Sequence, residues 1–195
     1  MKQFLVKTAS GSEGGTFFQE FAETLPLISE NKDLIIKNAI IRTALYDKYL
    51  FYPMIGKIFG LLGYNASVTR DGDTNNRSDA FLEDTTHSIP IEIKSPTEVE
   101  YVNNKSIRQA LENKIILLSR KFHPTTRETT SLALGFTYPA DRSGVFDLVE
   151  DIYNAYGLNI GVMSFEDLLR ILWDAVIEDI PFDKVRITFL KGQFQ

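Results

Sequence analysis

The sequence predicts an α/β fold, a central mixed sheet flanked by helices. Three observations carry this expectation. Residues 78–96 read as two strands of a hairpin, with Ile89, Ile91 and Ile93 on one side of the second strand and Glu92 and Lys94 on the other. Residues 33–62 and 105–121 place their apolar side chains at helical spacing instead. From Pro53 the order is helix, strand, strand, strand, helix, strand, so that three strands form an antiparallel meander and a helical crossover brings the fourth in parallel.

Taken in order, Phe4–Val6 reads as a short strand and Thr16–Thr24 as a short helix with Phe17, Phe18 and Phe21 on its apolar side. The loop Gly11–Gly15 between them lacks the Gly-Lys-Ser/Thr ending of a phosphate-cradling loop. Asp33–Phe51 has the apolar density of a buried helix. Pro53 then opens a second helix, ended by Gly63, since a proline is tolerated in a first turn. Ala66–Thr69 fits a strand. In the polar run Arg70–Arg77, Asp71, Asp73, Asn75 and the later Asp79 match the first ligand spacings of a calcium-binding hand. Asn76 replaces its glycine and Leu82 its bidentate glutamate, which excludes that reading.

Beyond the hairpin, Lys105–Lys121 predicts a helix with Ile107, Ala110, Leu111, Ile115 and Leu118 as its core stripe. Lys105, Lys114, Arg120 and Lys121 read as a solvated face. Ser131–Tyr138 is a buried strand stopped by Pro139. Ser143 or Gly144 opens a helix that Gly157 closes after Tyr156. Leu158–Met163 is a short strand, and Ser164–Asp167 is a capping-box helix start with Asp in the usual Glu position. That helix carries Trp173 in the core. Lys184–Leu190 reads as a last strand, His87 as a turn residue, and His123 as a helix-end residue near the last carbonyls.

The chain has 195 residues and no cysteine, with an apolar fraction of 44% and a charged fraction of 24%. One domain, 1–195, is expected, with its core at about 53–138 and helical parts at 1–52 and 139–195. The absence of cysteine excludes disulfides and thiolate zinc sites and fits a cytoplasmic location. With only His87 and His123, a His-rich metal site is poorly supplied. The apolar run at the N-terminus is too short for a signal peptide, and Leu50–Leu62, which contains Pro53 and Lys57, is no membrane span. The net charge of −5 is segregated. Lys94–Glu128 holds seven basic and four acidic residues, whereas Asp141–Asp183 holds two basic and ten acidic. Such a balance holds DNA weakly without a partner.

The chemistry concentrates on the hairpin. A turn at Thr85-Thr86 sets Asp79 opposite Glu92; a turn one residue later sets it opposite Lys94. Either register puts two carboxylates and a lysine on one face, a donor set for a hard divalent cation. Asp73, Glu83 and Asp84 are rival acids.

Asp79 followed by Glu92-Ile93-Lys94 on the next strand, within this element order, resembles the PD-(D/E)XK nuclease superfamily over about residues 53–138. Lys94-Ser95-Pro96-Thr97-Glu98 and Ile107–Lys114 resemble a narrower group, the cleavage subunits of type IIS restriction endonucleases related to MlyI and PleI. The resemblance implies a restriction-endonuclease-like core and Mg2+-dependent cleavage of one strand of duplex DNA. It also implies a heterodimer with a larger subunit that recognises the DNA. In it, Asp79, Glu92 and the Ile93 carbonyl would hold one or two Mg2+ ions, with Mn2+ as a substitute. Lys94 would orient the attacking water, and Gln109, with Arg108 as a further candidate, would contact the phosphate or the water. The superfamily often adds a glutamate on the helix before the first strand, and Pro53–Gly63 contains no acid. A non-catalytic partner subunit and a homodimeric repair or junction nuclease stand as alternatives.

Overall fold

The computed structural model describes residues 31–69, 78–120 and 123–195. The expected strand Phe4–Val6, the helix Thr16–Thr24, the loop Arg70–Arg77 with Asp73, and Lys121 lie outside the described residues. Two helices, α1 (Lys32–Thr43) and α2 (Lys48–Leu61), precede strands β1 (Asn65–Val68), β2 (Ala80–Glu83) and β3 (Ser88–Lys94). Then follow α3 (Asn104–Ser119), β4 (Ser131–Gly135), α4 (Val145–Tyr156), β5 (Ile160–Ser164), α5 (Phe165–Val176), the single turn α6 (Val185–Thr188) and β6 (Gly192–Gln193).

The strands lie side by side in chain order, β1 to β6. β1, β2 and β3 are antiparallel neighbours, and β3 to β6 run parallel, as the element order requires. Helices cover both faces. On one, Ile35 and Ile36 of α1, Phe51, Met54, Ile55 and Ile58 of α2, and Leu168 and Leu172 of α5 pack on Ile89, Ile91, Ile93, Leu132 and Leu134. On the other, Ile107 and Ala110 of α3 and Val145, Val149 and Ile152 of α4 pack on Ala133, Ile160 and Val162. Side chains that alternate along each strand thus enter opposite cores. Among the described residues no helix is long and apolar enough to cross a membrane.

Several expectations are corrected. Asp33–Phe51 is not one helix. Thr43 Oγ1 turns back to donate to the Ala39 carbonyl at 2.8 Å, and Asp47 starts a new helix by accepting the amides of Tyr49 and Leu50 at 3.0 and 3.1 Å. Pro53 therefore sits inside α2, in its second turn, and forgoes one intrahelical bond. On α3 the expected core stripe fails at Ile115, which is exposed; Ile107 and Ala110 are buried, Leu111 and Leu118 pack against the core, and Lys114 and Leu117 are buried as well. Lys114 is no solvated residue. Its ammonium donates to Thr125 Oγ1 at 3.0 Å and to the Thr129 carbonyl, tying down the loop before β4. Lys184–Leu190 is no strand, because the Asp183 carboxylate accepts the Val185 amide at 2.9 Å and opens the turn α6. His123 does not close a helix; it stacks on Phe81 with a centroid separation of 5.7 Å and faces Glu83. The capping box at Ser164 and Asp167 and the αL glycine that ends α4, Gly157, stand as read from the sequence.

Candidate active site

The register of β2 on β3 runs from Ala80↔Ile91 to Glu83↔Ser88. This is the register of the two-residue turn at Thr85-Thr86, and one residue further it sets Asp79 against Glu92. Asp84 fixes that turn by accepting the amides of Thr86 and His87, both at 2.6 Å. Those bonds hold the Asp84 carboxyl below its usual range against its desolvation. Asp84 is thus occupied in the turn, and Glu83 beside it faces His123 and Asn65. These two rival acids belong to the other end of the strand from Asp79.

At Asp79 the ladder closes. The Asp79 amide donates to the Ile91 carbonyl at 3.1 Å, and the Asp79 carboxylate accepts the Ile93 amide at 2.8 Å. Along β3, Ile91 and Ile93 turn their backbone groups to the β2 edge. Since β2 begins at Ala80, the Ile93 carbonyl has no strand partner there among the described residues. The Tyr52 hydroxyl, from α2, lies 2.8 Å from that carbonyl and 3.0 Å from Glu98 Oε2. Ser95 Oγ donates to the same Glu98 oxygen at 2.8 Å.

Glu92 points away from the Ile91 and Ile93 side chains, beside Ala133 and toward α3. It is only 3% exposed, so its charge needs local partners. Lys94 Nζ donates to Glu92 Oε1 at 2.7 Å, and Asn113 Nδ2 of α3 reaches Oε2 at 3.4 Å. Gln109 stands one helical turn before Asn113 on the same face, and its Oε1 is buried without a hydrogen-bond partner. Arg108 is exposed on the neighbouring face.

The corner is short of positive charge. Burial pushes the Asp79 carboxyl well above the usual carboxylate range and the charge of Glu92 adds to this; the Ile93 amide and Lys94 offset part of it. Burial raises Glu92 as well, partly offset by Lys94 and Asn113. Burial, with the charges of Asp79 and Glu98, also pushes the Tyr52 phenol far up, so it stays a neutral donor. A buried carboxylate, a half-buried one and a backbone carbonyl are the oxygen donors of a hard cation, and a deficit of positive charge is what such an ion relieves. The residues present therefore fit a divalent cation. Among the described residues no three acidic or histidine side chains are grouped to hold one ion together.

No protein-family model and no curated protein matches the chain. Solved structures of the restriction endonuclease FokI do. One aligns over 95% of this chain with a TM-score of 0.64 and 13% identity. Another, of FokI bound to DNA, aligns over 95% with a TM-score of 0.60 and 14% identity. The chain has the fold of part of FokI. It spans about a third of the FokI chain, 34% in both alignments, and at this identity the likeness is one of fold. The restriction-endonuclease-like core expected from the sequence is the architecture found.

Within this FokI-like fold, Asp79, Glu92, Lys94 and the Ile93 carbonyl gather at one end of the β2–β3 pair, and α3 brings the Gln109 face to them through Asn113. Tyr52, Glu98 and Asn113 were not singled out from the sequence. Asn113 had a signal, four residues after Gln109 on one helical face. Glu98 had a weaker one, an acid in the turn after the Lys94 strand. Tyr52 lies in an apolar run that reads only as core.

Proposed function

We propose that the chain is the cleavage domain of a divalent-cation-dependent DNA endonuclease. One observation carries the reading: the Ala80↔Ile91 register, carried one residue further, sets Asp79 opposite the buried Glu92, with Lys94 Nζ 2.7 Å from Glu92. Its support is the fold shared with a restriction endonuclease. Asp79, Glu92 and the Ile93 carbonyl would hold Mg2+, or Mn2+ in its place. The ion supplies Lewis acidity toward the scissile phosphate and offsets the charge that builds there. Lys94, held beside Glu92, would orient the attacking water or stabilise the charge that builds on the phosphate oxygens. Gln109 offers its unpartnered Oε1 to the water's proton, which fixes the water's orientation. Hydrolysis leaves a 5'-phosphate and a 3'-hydroxyl.

Within that class the chain reads as the cleavage subunit of a type IIS enzyme, working in a heterodimer with a larger DNA-recognising subunit. The segments Lys94–Glu98 and Ile107–Lys114 support this, as does an acidic balance of −5, which favours a partner that brings the DNA.

Strand-specific nicking of a plasmid, with Mg2+ and with or without the larger subunit, tests the reading. Asp79→Ala and Glu92→Ala are expected to lower cleavage more than about a hundredfold while the subunits still assemble. Normal cutting by both variants places the site elsewhere. A wild-type chain that assembles but never cuts identifies a non-catalytic subunit.

A further inference from the structure

We infer that Tyr52 and Glu98 are a positioning pair for the cation corner: Tyr52 aims the Ile93 carbonyl, and Glu98 steadies Tyr52 and adds a third negative charge at the rim. The inference rests on the endonuclease reading for the presence of the cation.

Among the described residues, the end of β2 leaves both backbone groups of Ile93 without strand partners on that edge. The amide goes to the Asp79 carboxylate and the carbonyl to the Tyr52 hydroxyl. Each group of Ile93 is thus held by a side chain, one from the hairpin and one from a helix 41 residues earlier. Core packing does not ask for that hydroxyl, since a phenylalanine would fill the same half-buried space. A tyrosine has one proton to donate, and two acceptors lie at 2.8 and 3.0 Å. Glu98 is not left bare when the proton faces Ile93, because Ser95 Oγ also donates to its Oε2. Ser95 is fully buried and its turn sets Glu98 in place through the Glu98 amide, which donates to the Ser95 carbonyl at 3.1 Å. The result is a chain from Ser95 through Glu98 and Tyr52 to the carbonyl oxygen of Ile93.

Partners behind a ligand fix its direction and raise affinity for the ion. Glu98 does not share in the ligand set directly; its field reaches both Asp79 and Glu92. With it the corner holds three carboxylates against one ammonium, Lys94, and an ion of charge two restores the balance.

The test is Mn2+ titration of the full chain by calorimetry, with melting curves with and without Mn2+. Tyr52→Phe removes the hydroxyl and keeps the ring; Glu98→Gln removes the charge and keeps an acceptor for Tyr52 and Ser95. Tyr52→Phe is expected to weaken Mn2+ binding about tenfold and Glu98→Gln severalfold. Each variant should shrink the Mn2+-induced rise in melting temperature, read against that variant's own melting point without Mn2+. Wild-type Mn2+ affinity in both variants, alongside lost binding in Asp79→Asn, overturns the pair and leaves the endonuclease reading intact. A lowered melting point with unchanged Mn2+ affinity likewise overturns it, as a structural role only. A wild-type chain that binds no Mn2+ and cuts no DNA overturns both.

Discussion

The Asp79 carboxylate accepts the Ile93 amide at 2.8 Å, so a single side chain both closes the β2–β3 ladder and stands in the candidate site. The two roles separate by substitution. Asp79→Asn keeps an oxygen for the amide and removes a poorly compensated, half-buried charge. It should match or exceed wild type in urea stability while losing Mg2+-dependent cleavage. Asp79→Ala removes the acceptor that the Ile93 amide has among the described residues and should cost about 1–3 kcal/mol. Equal stability of the two variants would show that the Asp79–Ile93 bond contributes nothing to folding.

Lys114 is fully buried, and burial lowers its ammonium to about 8 from 10.5. A lysine lowered in the fold is protonated in both states below about pH 8. Between pH 8 and 10.5 the unfolded chain binds more protons, so stability rises with pH across that window. The full change is on the order of 3 kcal/mol. Urea midpoints for wild type and Lys114→Met at pH 7.5 and 9.5 read this directly: wild type should gain about 2 kcal/mol relative to the variant. A constant difference between the two proteins would refute the buried amine.

Two glycines should respond in opposite directions. A Cβ on Gly135 would meet the Thr137 carbonyl and the Val102 amide, both at 2.9 Å, and these are backbone atoms that cannot swing away. Gly135→Ala should cost about 1–3 kcal/mol and, because Gly135 pairs with Lys94, disturb the site as well. Gly60, exposed on α2, meets nothing within 4 Å, and Gly60→Ala should stabilise by about 0.5–1 kcal/mol. Thermal melts of the two variants check both signs.

The sheet was legible because its signals are local. Alternation marked β3, short turns marked the meander, and a helical span between Lys94 and Ser131 forced a parallel crossover. The register stayed open between turns at Thr85-Thr86 and Thr86-His87, and the structure takes the first, with Asp84 accepting the Thr86 and His87 amides. What escaped was set by competition between signals. Asp47 is an ordinary cap, yet apolar spacing through Ala44 and Leu45 masked the break before it. Lys114 falls on the stripe of Ile107, Ala110 and Leu117, and its charge alone argued for solvent. Of the candidate site, the hairpin groups could be placed from the strand period. Tyr52 and Glu98 meet Ile93 only through the packing of α2 and the turn after β3, which no spacing along the chain encodes.

Each strand of this sheet pairs with the strand made just before it. No strand has to be threaded between two earlier ones, which keeps most pairings close along the sequence. Every group of the candidate corner, from Tyr52 to Asn113, is synthesised before β4 arrives to cover the other edge of β3. The ribosome therefore delivers the reactive parts first and the wall that buries Glu92 afterwards.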